Sequence, residues 1–208
     1  TFAEASAALG YDLWDIACNG PESELNRTEI TQPALLSAGV AVWRLWLQEQ
    51  GSTPEYMAGH SLGEYTALVC SGVLKFSDAV RLVRDRGRYM QQAVPEGTGG
   101  MAAILGLDSS TIEKLCLEAA AGEIVSAANY NSPEQTVIAG NVDAVARATE
   151  LCKTAGAKRA ILLPVSVPSH CALMKTAAMQ LQHRLDEIDF AQPQIPVLQN
   201  VDAQARSS

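Results

Sequence analysis

The sequence predicts an α/β fold in which a larger α/β domain, residues 1–97 and 165–208, carries an inserted subdomain, residues 98–164. Three observations carry this expectation. Gly59-His60-Ser61-Leu62-Gly63 fits the G-x-S-x-G pattern of a sharp strand-to-helix turn, with the apolar run Tyr56-Met57-Ala58 before it and a helical pattern after it. Residues 98–164 alternate strand and helix patterns in the order β-α-β-β-α-β, the split arrangement of ferredoxin-like units. Between the two, Pro95-Glu96-Gly97-Thr98-Gly99-Gly100 interrupts the periodicity and marks a boundary.

Of the 208 residues, 48% are apolar and 18% charged, which fits a globular chain with a sizeable core and excludes a disordered one. A formal charge of −8 with no long basic tract argues against nucleic acid as a partner. No apolar run approaches the roughly 20 residues of a membrane span. No signal-peptide pattern opens the chain, so the cytoplasm is the expected compartment. The five cysteines, at 18, 70, 116, 152 and 171, lack C-x-x-C spacing, so neither disulfides nor a zinc site are expected. No metal, nucleotide or flavin motif is present, and no cofactor is expected.

In chain order, an amphipathic helix around Phe2, Ala5, Ala8 and Leu9 closes at Gly10, a further turn spans residues 11–16, and residues 21–29 read as a polar connector. Thr31 as N-cap and Pro33 near the first helical position open a helix over residues 34–50. That helix is apolar around most of its circumference and is expected to be largely buried. After the turn at Ser61, a helix runs from Glu64 to Gly72, and Ser77 caps a helix over 79–93. In the subdomain, strands are expected at 101–107, 124–130, 135–139 and 158–163. Helices are expected at 111–121, capped by Ser109 or Ser110, and at 142–155. Residues 164–170 are extended and lead into a helix over 171–185.

The turn at Ser61 brings chemistry with it. Glycine at 59 and 63 avoids collisions where the backbone reverses, and Ser61 is presented at a helix start. There the Leu62 amide lacks an intrahelical partner and, with the helix dipole, favours an oxyanion. On the 79–93 helix, Leu82, Val83, Tyr89 and Met90 share one face, and Arg81, Arg84 and Arg88 the opposite, solvated one. Arg86 projects into the apolar face, so it needs an anion, either an internal carboxylate or an acidic ligand. Among the histidines, His60 lies in the turn and His183 in a polar stretch. His170 falls at the start of the 171–185 helix, with Ser169 as N-cap, where the dipole keeps an imidazole neutral and able to take a proton. No carboxylate is spaced as a third member, so a Ser–His dyad is expected.

Four segments, Gly59–Tyr65, Arg84–Gln91, Pro95–Ile104 and Val165–Met174, together with Thr31–Leu35 and Gln199–Asp202, resemble the bacterial malonyl-CoA:acyl carrier protein transacylases. These are the discrete acyltransferases of type II fatty acid synthesis. The resemblance covers essentially the whole chain. It implies an α/β-hydrolase-like parallel-sheet core with a ferredoxin-like insert. It also implies a ping-pong transfer of malonyl from malonyl-CoA to the phosphopantetheine thiol of acyl carrier protein. By the same resemblance Ser61 is the nucleophile, His170 its base, Arg86 the partner of the malonyl carboxylate, and the Leu62 amide an oxyanion donor. Gln32 and Asn131 match pocket-lining positions, and the enzyme is expected to be a cytoplasmic monomer. The family's N-terminal strand with its Gly-Gln-Gly-Ser-Gln turn, and its C-terminal part, have no counterpart here, so the chain is expected to belong to a longer enzyme. Two other readings stand beside this one: an esterase or thioesterase using the same serine, and a carrier-protein-binding module without turnover.

Overall fold

In the computed structural model, which describes residues 1–165 and 167–206, the chain forms two units. The first comprises Thr1–Arg88 and Leu181–Ser208, and the second Tyr89–Gln180. Ser166, inside one of the segments carrying the resemblance, lies outside the described residues, as do Ser207 and Ser208.

The first unit opens with α1 (Phe2–Leu9), which ends at Gly10 with φ 82°, a left-handed cap that costs a residue without Cβ little. Helix α2 (Leu13–Asn19) starts where the Asp12 side chain accepts from the Asp15 amide. The stretch expected to be a connector instead forms α3 (Glu22–Leu25) and the first residues of α4 (Thr28–Gln48). Thr31 is therefore not an N-cap. It lies inside α4, and its hydroxyl turns back onto the Leu25 carbonyl at 2.5 Å. Pro33 is the sixth residue of α4, where its missing N–H removes the one i→i−4 bond to the Glu29 carbonyl.

Nor is α4 largely buried. Leu36 and Val40 are fully inside, yet Leu35, Val42, Leu45, Trp46 and Leu47 are each about half exposed or more. One stripe is all a helix can offer a single core, and residues 33, 36, 37 and 40 make that stripe. Strand β1 (Met57–Ala58), α5 (Leu62–Cys70) and α6 (Phe76–Ala93) follow. Helix α6 begins before Ser77, since the Lys75 carbonyl already accepts from the Asp78 and Ala79 amides. Leu13, Leu36, Leu82 and Val83 centre the core of this unit.

In the second unit, β2 (Gly99–Leu105), α7 (Ser109–Ala120), β3 (Val125–Ser132), β4 (Gln135–Asn141), α8 (Val142–Thr154) and β5 (Arg159–Leu162) form an antiparallel sheet ordered β3-β4-β2-β5. This is the ferredoxin-like order expected from the sequence. Alternation along β2 sends Ala102 and Ile104 toward α7 and α8, and Met101 and Ala103 to the other face. The cap of α7 is Asp108 rather than a serine. Its carboxylate accepts from the Thr111 amide and from the hydroxyls of Ser110 and Thr111, more bonds than one hydroxyl accepts.

The chain ends with α9 (Lys175–Leu185), β6 (Val197–Leu198) and β7 (Ala205–Arg206). Strand β6 pairs in parallel with β1 and antiparallel with β7, giving the first unit a small mixed sheet. Among the described residues no helix is long and apolar enough to cross a membrane.

Candidate active site

Between β1 and α5 the backbone reverses at Ser61, whose φ of 53° and ψ of −104° no ordinary element uses. Such a conformation costs on the order of 1–3 kcal/mol and persists only where its surroundings enforce it. Gly59 makes the reversal possible, because a Cβ there would lie 1.9 Å from the Gly63 carbonyl carbon. Gly63 itself faces no such limit. A Cβ at 63 would meet nothing within 4 Å, contrary to the expectation that both glycines avoid collisions. The turn engages the Gly63 amide with the His60 carbonyl at 2.9 Å and the Glu64 amide with the Ser61 carbonyl at 3.2 Å. At the tip of α5 the Leu62 amide has no intrahelical acceptor.

Arg86 of α6 reaches this turn. Its Nη2 donates to Ser61 Oγ at 3.1 Å and its Nη1 to Gln32 Oε1 at 2.6 Å, and the guanidinium lies 5.6 Å from the centre of the Tyr65 ring. Gln32 sits inside α4, only 5% exposed, with its amide also 3.4 Å from the Thr28 hydroxyl. Burial pushes the Arg86 guanidinium down from its ordinary value, and Tyr65 partly opposes this. Burial likewise raises the Tyr65 hydroxyl, with Arg86 pulling the other way. Among the described residues the ion pairs of α6 are made by Arg81, Arg84 and Arg88, and Arg86 makes none. Among the described residues its side-chain hydrogen-bonding partners, Gln32 and Ser61, are neutral, and its Nη2 is aimed at the serine oxygen.

The three arginines expected on a solvated face are partly exposed there and also form ion pairs. Asp85, 3% exposed, binds Arg84 at 2.9 Å, Arg88 at 3.4 Å and Arg184 of α9 at 3.2 Å. Arg81 pairs with Asp78 at 2.9 Å. In the second unit Lys153 pairs with Glu150 and Lys158 with Glu134.

One polar residue at the turn could not be assigned a place from the sequence. Asn200 lies two residues beyond β6. Its Oδ1 accepts from the Ser61 amide at 2.6 Å, its Nδ2 donates to the Gly59 carbonyl at 2.6 Å, and its own amide donates to Glu64 Oε2 at 3.0 Å. The available signal was a polar residue following a short apolar strand, and that strand's pairing with residues 57 and 58 was not visible.

His170 and Asn131 belong to the second unit. The helix expected over 171–185 is in fact a 3-10 turn, Ala172–Met174, followed by α9 from Lys175. His170 thus precedes the turn rather than capping α9, and the dipole argument for its neutrality does not hold. Cys171 lies between and is extended, and its Sγ donates to the Pro168 carbonyl, which pulls the chain away from a helical start. His170 is exposed and takes φ 61°. It and Ser61 are two of the five non-glycine residues with positive φ among the described residues. Pro168, next to Ser169, packs on Gly99, where a Cβ would come within 2.5 Å of its ring. Asn131 is exposed near the end of β3, its amide 3.5 Å from Gln135 Oε1 across the hairpin.

Comparisons with known proteins show which family the chain resembles. The family described as "Acyl transferase domain" matches residues 3–208. The malonyl CoA-acyl carrier protein transacylase of Salmonella typhimurium is 62% identical over 207 residues, covering 100% of this chain and 67% of that protein. The chain thus spans about two thirds of that relative's length. An acyl carrier protein S-malonyltransferase from Vibrio cholerae superposes with a TM-score of 0.96 at 60% identity, over 100% of this chain and 68% of that one. A malonyl-transacylase solved with a type II PKS acyl-carrier protein gives a TM-score of 0.98 at 59% identity, over 100% of this chain and 67% of that one.

Proposed function

Because the chain belongs to the acyl transferase domain family, we propose that it moves a malonyl group from malonyl-CoA to the phosphopantetheine thiol of acyl carrier protein. The observation that supports this reading is Arg86, a half-buried guanidinium held by Gln32 and touching Ser61 Oγ at 3.1 Å, with no ion pair to a carboxylate among the described residues. A free carboxylate one methylene away from the reacting thioester carbonyl is the group such a cation would pair with, bidentately and strongly. The substrate's reactive carbonyl is then held at the serine.

In the proposed reaction Ser61 Oγ attacks the malonyl thioester carbonyl while its proton passes to His170. The Leu62 amide donates to the oxyanion of the tetrahedral intermediate. Collapse breaks the carbon–sulfur bond, and CoA leaves as its thiol with the proton returned by His170. The carrier protein's phosphopantetheine thiol then gives its proton to the same imidazole and attacks the malonyl-serine ester. When the carbon–oxygen bond breaks, Ser61 recovers a proton and malonyl leaves on the carrier. Each step is substitution at an acyl carbon, which calls for no redox or metal cofactor. Asn131 is assigned to the pocket on the strength of the resemblance. A monomeric, cytoplasmic enzyme is part of this reading. Light scattering of the purified protein and cell fractionation check those two points.

The decisive experiment is the intact mass of the full-length protein mixed with malonyl-CoA, beside Ser61→Ala and His170→Ala variants. A malonyl adduct that requires Ser61, forms slowly without His170 and is discharged by holo acyl carrier protein is the expected result. An adduct discharged by water as fast as by the carrier would make the protein a thioesterase. Carrier binding without any adduct would leave only a binding module.

A further inference from the structure

Strands β1 and β6 run in parallel with Ala58 level with Leu198, so both leave the sheet at the same edge. Gly59 is one residue beyond that edge and Asn200 is two. After Asn200 the chain turns, with the Ala203 amide donating to the Gln199 carbonyl at 2.9 Å, and returns as β7. The tip of this hairpin therefore lies against the nucleophile turn, and the Asn200 side chain crosses from one to the other.

That side chain is suited to the task. A carboxamide carries an acceptor and a donor side by side, and here the acceptor faces the Ser61 N–H while the donor faces the Gly59 carbonyl. Aspartate would set an oxygen against the Gly59 carbonyl, and serine or alanine could not span both groups. The turn's own hydrogen bonds, from the Gly63 and Glu64 amides, lie on the helix side of Ser61. On the strand side, Asn200 supplies the restraint, and Glu64 in turn holds the Asn200 amide. The loop closes on itself across 139 residues of sequence.

We propose that Asn200 is a positioning residue for the nucleophile, bridging the two backbone groups that flank the reversal and so holding Ser61 in its strained conformation. The proposal rests on the reading of Ser61 as the nucleophile. It also commits the Ser61 amide to Asn200, so the oxyanion is left to the Leu62 amide.

The test uses the full-length protein with Asn200→Ala, Asn200→Asp and Asn200→Gln. Three quantities are followed well below the melting temperature: kcat and KM for malonyl transfer, and the rate at which a small fluorophosphonate labels Ser61 by displacement of fluoride. With the serine oxygen displaced by about 1 Å, Asn200→Ala is expected to lower both kcat and the labelling rate about 10²-fold with little change in KM. Asn200→Asp should be as slow as Asn200→Ala, and Asn200→Gln should recover about tenfold, since it alone restores both a donor and an acceptor. A purely structural role would lower the melting temperature and leave both rates near wild type in the folded protein. Rates within about threefold of wild type for folded Asn200→Ala, or equal rates for the Asp and Gln variants, overturn the proposal. The fluorophosphonate carries neither malonyl nor CoA. Slow labelling of Asn200→Ala would therefore uphold the bridge even if the wild type refused malonyl-CoA, which would sink the transferase reading alone. A wild type whose Ser61 takes no label overturns both.

Discussion

Asp85 and Arg86 are neighbours on helix α6, the first buried and the second half-buried, yet they are satisfied in opposite ways. Asp85 is surrounded by the guanidiniums of Arg84, Arg88 and Arg184. Arg86 meets an amide oxygen, a serine hydroxyl and an aromatic face. A buried charge with counter-charges in its own chain is part of the scaffold, and removing one partner strands the others. A half-buried charge with only neutral partners leaves electrostatic capacity for something that arrives from outside. Two adjacent side chains separate what holds α6 in place from what the helix offers a ligand.

Arg86→Met is the sharpest way to break that contrast. Losing the proposed charge-assisted pair between Arg86 and the malonyl carboxylate should cost about 3–4 kcal/mol, or roughly 10²–10³-fold in transfer. Acetyl transfer should fall far less, and the melting temperature should hold or rise, because an unneutralised charge leaves the interior. Equal losses for the two acyl groups, or a large drop in stability, would make Arg86 a structural residue like its neighbour. Asp85→Asn should do the reverse. It should destabilise by about 2–3 kcal/mol in urea unfolding, below the 3–5 kcal/mol of a fully buried pair, since the arginines are partly exposed and screened. The malonyl-to-acetyl ratio of the folded protein should not change.

Tyr65→Leu probes the aromatic face on which Arg86 rests. A desolvated cation–π contact is worth about 1–2 kcal/mol. The expected result is a rise of roughly tenfold in KM for malonyl-CoA, with transfer of acetyl unaffected. The smallest effect belongs to an exposed charge. Asp108 caps α7, and three hydrogen bonds to its carboxylate, from Ser110 and Thr111, hold it well below the usual carboxylate range. The folded protein thus binds that proton less readily than the unfolded chain. The contribution is full above the ordinary value of about 4 and fades as pH falls below it toward the depressed folded value. Asp108→Asn should lower the melting temperature slightly at pH 7, with the gap narrowing below pH 4. A gap that widened on acidification would contradict the cap.

Legibility in the sequence followed the distance between partners. The reversal at Ser61 is written in five consecutive residues, and the β-α-β-β-α-β order in local periodicity, so both were readable along the chain. Arg86 stood out as a charge on an apolar face, but its partners did not. Gln32 is 54 positions away and Ser61 is 25. Asp85 was hidden for the same reason, since Arg184 lies 99 positions further on. Helix starts were misread where a side chain formed a longer-range bond instead of a cap, as at Thr31, or where a loop was pulled out of helical geometry, as at His170.

The sequence by itself therefore determined the α/β class, the sharp turn at Ser61, the family resemblance and the presence of a cation on an apolar helix face. These depend on backbone sterics and on periodicities that a few adjacent residues express. Only the tertiary structure decided that the cation points at the serine oxygen, that its neighbour is neutralised internally, and that Asn200 bridges the turn. Those facts depend on which strands and helices lie side by side. Hydrogen bonds and burial act over a few ångströms in space, whatever the separation along the chain.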